Sequence, residues 1–191
     1  MGNELNFKSA SIMDVISMIE DYRLDIRTVT MGISLIGCTR STMAATAQAV
    51  YDRVTARAAR LVDVCQGIER ELGIPIVNKR VSVSPIALAA AGLDGNPADI
   101  AHALDKAAQE LGVNFIGGYS ALVEKGATEA DERLIASIPE ALSNTEFVCG
   151  SVNVASSRAG INMDAVKTMG KVVKEAAELT AERSSISCAK L

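Results

Sequence analysis

The sequence predicts an α/β fold built from repeated strand-then-helix units with parallel strands. Alternating apolar and polar residues recur in four separate runs, and segments with helical three- and four-residue spacing follow them. Ala, Val and Ile are plentiful, whereas the chain has three Phe, three Tyr and no Trp, which suits helices packed closely on strands. Strands separated by long helical segments require crossover connections rather than hairpins, so the sheet is expected to be parallel.

The composition is that of one globular domain. With 191 residues, of which 49% are hydrophobic and 22% charged, the chain can bury one core, so residues 1–191 are expected to form a single α/β domain. A net charge of −4 argues against a general nucleic-acid surface. No apolar run suggests a signal peptide or a membrane span, which predicts a cytoplasmic protein without a membrane partner.

The first strand is predicted between two helices. A capping-box pattern beginning at Ser11 opens a helix to about residue 22. Strict alternation over residues 25–38 then predicts a strand. Apolar residues at three- or four-residue steps over 41–72 predict one long helix, which Gly73 is expected to end.

The second strand and the helices that follow it are marked by prolines. Alternation over residues 74–84 predicts the strand, and Pro85 ends it before a short Ala-rich helix. Asn96 as N-cap and Pro97 at the first helical position predict a helix that runs to Leu111.

Two further strands are predicted in the second half of the chain. Residues 113–123 and 147–156 show the strand pattern, and Thr128 opens a helix between them. Residues 186–191 resemble the opening of a fifth strand, so the chain is expected to be the N-terminal part of a longer one. The last helix, over 163–182, is expected to bury Val166, Met169, Val173 and Leu179.

The predicted strands pair an apolar face with a face of small polar residues. Strands covered by helices on both faces should be apolar on both faces. A barrel-like sheet with helices outside and a polar interior satisfies the pattern. The competing explanation is an amphipathic sheet that packs on another subunit, which would make the protein a homo-oligomer.

Candidate site residues follow from this arrangement, because ligand groups in parallel β/α folds lie where the carboxyl ends of the strands meet. That edge is predicted to hold Cys38, Ser84, Ser120, Lys125 and Asn162. The polar interior below it is predicted to hold Asn78, Arg80, Ser82, Cys149, Ser151 and Asn153.

Arg80 is the strongest local indication of a ligand. Lys79 and Arg80 are adjacent cations in a valine-rich strand, and such charges are costly to bury without an anionic partner. Either Arg80 binds a carboxylate or phosphate, or the cations belong to internal ion pairs. The sequence leaves both alternatives open.

Catalytic groups are less clearly indicated. Cys149 and Cys38 are candidate nucleophiles, although buried cysteines usually behave as small hydrophobes, and Lys125 is a further candidate. The only histidine, His102, lies within a predicted helix, so a classical triad or a histidine-ligated metal site is not expected. The sequence shows no nucleotide-binding motif and identifies no cofactor.

Four runs resemble domain-of-unknown-function family 711, an uncharacterised protein family. They are Thr30–Leu35, Gly73–Pro85, Phe115–Val123, and Ser151–Asn153 followed by Gly160–Met163. Members are typically more than twice this length, so the chain is similar to an N-terminal half. The resemblance implies one half of a ten-stranded barrel, like the fold of glycyl radical enzymes of the pyruvate formate-lyase type. It does not imply radical chemistry, because the chain contains no adjacent cysteine pair.

Two functions remain open at this stage, and so does the question whether the protein is an enzyme. One is a metabolic enzyme or small-molecule binder that holds an anionic metabolite, with Arg80 and Lys125 as charge partners. The other is a regulatory or scaffold protein. Family members are often encoded beside a small amino-acid-binding protein of the ACT type, which the resemblance implies as a partner.

Overall fold

A four-stranded parallel sheet organises the chain. The structure, a computed structural model, describes residues 9–22 and 25–191. The strands are β1 (Ile26–Ile33), β2 (Ile76–Val83), β3 (Phe115–Leu122) and β4 (Val148–Asn153), and they lie side by side in that order. The predicted α/β class and its four parallel strands are therefore confirmed, although every strand is shorter than its run of alternation.

The α-helices of the described residues are α1 (Ser9–Glu20), α2 (Met43–Ala58), α3 (Leu61–Leu72), α4 (Ile86–Ala89), α5 (Ala98–Leu111), α6 (Glu129–Ser143), α7 (Met163–Leu179) and α8 (Ile186–Ala189). Of these, α2 to α6 connect the four strands and pack on one face of the sheet. Between β4 and α7, the short strands β5 (Ala155–Ser156) and β6 (Gly160–Ile161) form an antiparallel ribbon. Among the described residues, no helix has the length and apolar character needed to cross a membrane.

The core lies between this helical layer and the apolar face of the sheet. Val81, Ile116 and Val148 of the sheet are buried against helical residues such as Val50 and Leu104. β1 and β4 are the outer strands, so the sheet is open over the described residues. The predicted barrel therefore stays a prediction.

Three predicted helix ends are set by local chemistry. Gly73 ends α3 in the left-handed conformation, with φ of 68°. Thr128 and Asp131 form a capping box at the start of α6. Asn96 accepts a hydrogen bond from the Ala98 N–H at 3.0 Å, but the helix begins one residue later than expected, after Pro97.

Two predictions for the first half of the chain are wrong. The helix predicted over 41–72 is broken at Ala59 and Arg60 into α2 and α3. The break lets α2 pack on α5 while α3 contacts β2, so tertiary packing overrides a continuous helical pattern. Ser11 is not an N-cap, because it lies inside α1, which already includes Ser9 and Ala10.

The predicted fifth strand is also wrong. Residues Ile186–Ala189 form α8, and the carbonyl of the following Lys190 accepts a hydrogen bond from the Gly150 N–H of β4 at 2.7 Å. The Lys190 Nζ atom donates to the carbonyls of Leu142 and Thr145, both at 2.6 Å. These contacts form between residues distant in sequence, so the local pattern did not reveal them.

The buried face of α7 differs from the predicted one. Met169 packs against the core as expected, but Val166, Val173 and Leu179 are 38%, 43% and 54% exposed. α7 packs on α6, and its small residues allow close approach on that side. The buried residues of α7 are Ala165, Val172 and Ala176.

Candidate functional site

The face of the sheet opposite the helices forms the candidate site, and we call it the open face. Parallel pairing in register places its residues in rows across the strands, because alternate side chains of a strand share one face. It comprises Thr28, Thr30 and Gly32 of β1, Asn78, Arg80 and Ser82 of β2, Phe115, Gly117, Ser120 and Leu122 of β3, and Cys149, Ser151 and Asn153 of β4. Most of these residues are half-buried or exposed.

The guanidinium of Arg80 lies over a phenyl ring and has no anionic partner among the residues that the structure describes. Arg80 pairs in register with Phe115 on β3, and its Cζ atom lies 5.2 Å from the centre of that ring. Its Nε atom is buried and makes no hydrogen bond. In residues 9–22 and 25–191, no carboxylate lies within ion-pair distance of Arg80. The ring and the burial hold the cation in place and leave its charge uncompensated.

Lys79 is paired, on the opposite face of the same strand. Its Nζ atom lies 3.1 Å from Glu69 Oε1 on α3 and donates to the Ile76 carbonyl at 2.8 Å. The same carboxylate oxygen accepts a hydrogen bond from the Ile76 N–H at 2.7 Å. The internal ion pair that the sequence left open therefore applies to Lys79, whereas Arg80 has no such partner among the described residues.

The Glu69 carboxylate should make the stability of the fold depend on acid pH. The Ile76 N–H and then Lys79 lower the pKa of Glu69 below 4.5, its value in an unfolded chain. A lowered carboxyl pKa stabilises the fold above the unfolded pKa, and this contribution is lost as pH falls through the folded pKa. We expect Glu69→Gln to be less stable than wild type at neutral pH, and the difference should shrink as pH falls below 4.5.

Urea unfolding followed by circular dichroism over a pH series measures this difference. Glu71→Gln is the matched control, because Glu71 is exposed on the same helix. A wild-type advantage that stays constant down to the lowest pH would contradict the assigned role of Glu69.

Cys149 lies on the open face as a thiol rather than a thiolate. Burial raises the pKa of Cys149, and the nearby positive charges of Lys190 and Arg80 only partly oppose this shift. Cys38 is 1% exposed and belongs to the hydrophobic core. Cys149 therefore lacks the lowered pKa of a reactive thiol, and Cys38 lacks the accessibility that a nucleophile needs.

Three predicted ligand groups have structural hydrogen bonds. The Ser84 hydroxyl accepts from the Leu35 N–H at 3.2 Å, which ties the end of β2 to the loop after β1. Ser120 is buried and donates to the Gly118 carbonyl at 3.2 Å. Asn162 caps α7, and its amide also donates to the Val123 carbonyl at 2.7 Å.

The other predicted polar groups lie on the open face with their side chains accessible to a ligand. The Asn78 amide donates to the Arg27 carbonyl at 3.0 Å, and the Asn153 amide donates to Glu124 at 3.3 Å. Ser82 and Ser151 are exposed. Together with Arg80 and Cys149, these groups form one surface, as the pattern of alternation predicts.

A cleft lined by none of the open-face residues lies elsewhere in the described structure. Its volume is about 990 Å³, and it lies beside the loop after β3, against α6 and α7. Lys125 and Asn162 line it together with the carboxylates of Glu124, Glu132 and Asp164. Three acids against one lysine disfavour an anion there. Lys125 lines this cleft, and Arg80 does not.

Metal ligation has no support in the described part of the chain. Over those residues, no group of three or more His, Cys, Asp or Glu side chains is arranged to hold a metal ion.

Two features of the site were not found from the sequence. Phe115 beneath Arg80 depends on the register of β2 against β3, and an aromatic residue among small polar ones was the only available signal. The second feature is the different roles of Gly117 and Gly118, which only the structure separates. Gly118 has φ of 125° at a bulge and packs against Val83. Gly117 lies on the open face, where an added Cβ atom would meet no protein atom within 4 Å.

Comparison with known proteins assigns the chain to a family. Residues 17–191 match the family described as uncharacterised ACR, DUF711. The chain belongs to the DUF711 family. It is 74% identical over 183 residues to a UPF0210 protein of Corynebacterium glutamicum. The aligned region covers 96% of this chain and 39% of that protein. It is 59% identical over 181 residues to a UPF0210 protein of Acetivibrio thermocellus, which covers 94% of this chain and 40% of that one.

Similarity extends to more distant bacteria. A UPF0210 protein of Listeria monocytogenes is 55% identical over 181 residues, again covering 94% of this chain and 40% of that protein. The DUF711 chain thus spans about two fifths of the length of these curated relatives. The names of these three relatives denote no activity.

Proposed function

We propose that this DUF711 protein is a cytoplasmic metabolic enzyme or small-molecule binder that holds an anionic metabolite on its open face. The Arg80 guanidinium, which has no anionic partner in the described part of the chain, carries the proposal. A fixed and partly desolvated cation attracts an anion more strongly than a mobile surface charge does. Asn78, Ser82, Ser151 and Asn153 add neutral hydrogen-bonding groups around it. In the longer relatives, we propose that this face lines the ten-stranded barrel, like that of glycyl radical enzymes, which the family resemblance implies.

The Arg80→Met variant tests this proposal. Methionine keeps an unbranched apolar stem over Phe115 and removes a buried donor that has no hydrogen-bond partner. Without ligand, the free energy of unfolding should stay within about 1 kcal/mol of wild type or rise, because the lost cation–π contact is offset by removal of the unsatisfied group. Stabilisation by acetate or inorganic phosphate, measured by thermal unfolding at constant ionic strength, should disappear.

Arg27→Met is the matched control, because Arg27 lies on β1 and forms an exposed ion pair with Asp25. It should retain the anion-dependent stabilisation. A loss of several kcal/mol in ligand-free Arg80→Met would show that Arg80 serves the fold rather than a ligand. If only Arg80→Met loses the anion-dependent stabilisation, untargeted mass spectrometry of small molecules that copurify with the protein would identify the natural ligand.

The second candidate is a regulatory or scaffold protein that acts with a small ACT-type amino-acid-binding protein or a second copy of itself. The exposed apolar residues of α7, among them Val166 and Val173, favour a protein-binding role. The same experiment separates the two candidates. If neither acetate nor phosphate stabilises the wild-type chain, the open face does not bind an anion and the scaffold role is favoured.

A further inference from the structure

The open face restricts the charge of the ligand. Arg80 is the only ionisable cation among the open-face residues defined above, and none of them is a carboxylate. The remaining side chains are hydroxyls, amides, one thiol, one phenyl ring and one leucine. One fixed positive charge compensates one negative charge, and further charges on a ligand would be desolvated there without a partner.

A row of small residues beside Arg80 restricts the position of the ligand. Gly32, Ser82, Gly117 and Cys149 lie in register across all four strands, one step further along the sheet than Arg80 and Phe115. With strands about 4.8 Å apart, the row spans about 14 Å. A Cβ atom added at Gly32 or Gly117 would meet nothing within 4 Å, so protein packing does not require glycine at either position. A strand glycine marks a bulge or bend, or a place that a ligand or another backbone approaches closely. The bulge of β3 begins at Gly117, but β1 pairs with β2 without a register shift at Gly32, so close approach of a ligand is the remaining reason there.

We propose that the ligand is a small monoanion whose neutral, hydroxyl-bearing body lies across the row from Gly32 to Cys149 while its anionic group contacts Arg80. This inference rests on the proposed function and adds the class of ligand. The hydroxyls of Thr30, Ser82 and Ser151 supply neutral hydrogen bonds to such a body. The open face has too few cations to compensate the charges of a polyphosphate. A purely aliphatic carboxylate would leave the hydroxyls without hydrogen-bond partners.

The test is an NMR titration of the ¹⁵N-labelled chain at constant ionic strength with D-gluconate, hexanoate and pyrophosphate. Gluconate should shift the amides of Gly32, Ser82 and Gly117 saturably, and it should bind at least about tenfold more tightly than hexanoate or pyrophosphate, which corresponds to about 1.4 kcal/mol. Tighter binding of pyrophosphate or hexanoate at the same amides would overturn the ligand class and leave the proposed function standing. If no probe shifts these amides, the proposed function itself fails.

Gly117→Ala locates the body of the ligand. The added methyl group meets no protein atom, so the variant should be as stable as wild type, but it fills the space above the row. Gluconate affinity should fall at least about tenfold, whereas Gly170→Ala on α7, where a Cβ also meets nothing within 4 Å, should bind as wild type does. Unchanged gluconate affinity in Gly117→Ala would overturn the proposed position.

Discussion

Replacing Gly118 with alanine should destabilise the protein more than almost any other single methyl group added to it. At φ of 125°, Gly118 has a backbone conformation that L-residues rarely adopt. Its new Cβ would lie 2.4 Å from Val83 Cγ2 and 2.6 Å from the Val83 carbonyl oxygen. Backbone strain of about 1–3 kcal/mol and overpacking of about 1–3 kcal/mol should together lower the free energy of unfolding by about 4 kcal/mol.

Urea unfolding of Gly118→Ala measures this loss, and Gly117→Ala is the control one residue away. The control should stay within about 0.5 kcal/mol of wild type, since its Cβ meets open space. Equal stabilities of the two variants would mean that the bulge between β3 and β4 does not require glycine at Gly118.

Replacing Lys190 with methionine should also cause a large loss of stability. The buried Nζ atom of Lys190 donates to the carbonyls of Leu142 and Thr145 at the C-terminal end of α6, where helical carbonyls lack partners. Methionine keeps the apolar stem but leaves both oxygens without this donor. Because each unsatisfied buried group costs about 1–3 kcal/mol, we expect a loss of about 2–4 kcal/mol.

The stability difference between wild type and Lys190→Met should grow at alkaline pH. Burial lowers the pKa of Lys190 below 10.5, its value in an unfolded chain. Between the two pKa values, the unfolded chain binds more protons than the folded one, so the contribution of Lys190 to stability rises with pH. Chemical unfolding at increasing pH measures the difference between wild type and Lys190→Met.

Lys174→Met, at an exposed ion pair with Glu178, is the control and should change stability by less than about 0.5 kcal/mol. A Lys190→Met variant as stable as this control would show that the carbonyls of Leu142 and Thr145 are satisfied without the lysine.

Local patterns predicted the elements best where one residue type is required by its own backbone geometry or hydrogen bonding. Gly73 ends α3, and Thr128 with Asp131 opens α6, as the sequence indicates. Patterns failed where distant contacts decide the outcome. A continuous helical repeat is broken at Ala59 because α2 and α3 contact different partners, and Ile186 begins a helix although its neighbours alternate like a strand.

For the candidate site as well, the sequence predicted the positions of residues but not their chemical environment. Alternation alone placed Asn78, Arg80 and Ser82 on one face of β2, and the parallel sheet then brought Cys149 and Ser151 to the same face. The sequence did not reveal the protonation states of these groups, because burial and nearby charges, which shift the pKa, come from other parts of the chain. The raised pKa of the Cys149 thiol is one example.

The sequence by itself determined the parallel α/β class, the two-faced strands and the position of a cation on the polar face, because these follow from residue periodicity along each element. Only the tertiary structure decided which of two adjacent cations is paired. Glu69 on α3 reaches Lys79 on the helical side, while Phe115 is brought under Arg80 by the register of β2 and β3. Periodicity specifies the face on which a side chain lies, but the packing of other elements determines what it meets there.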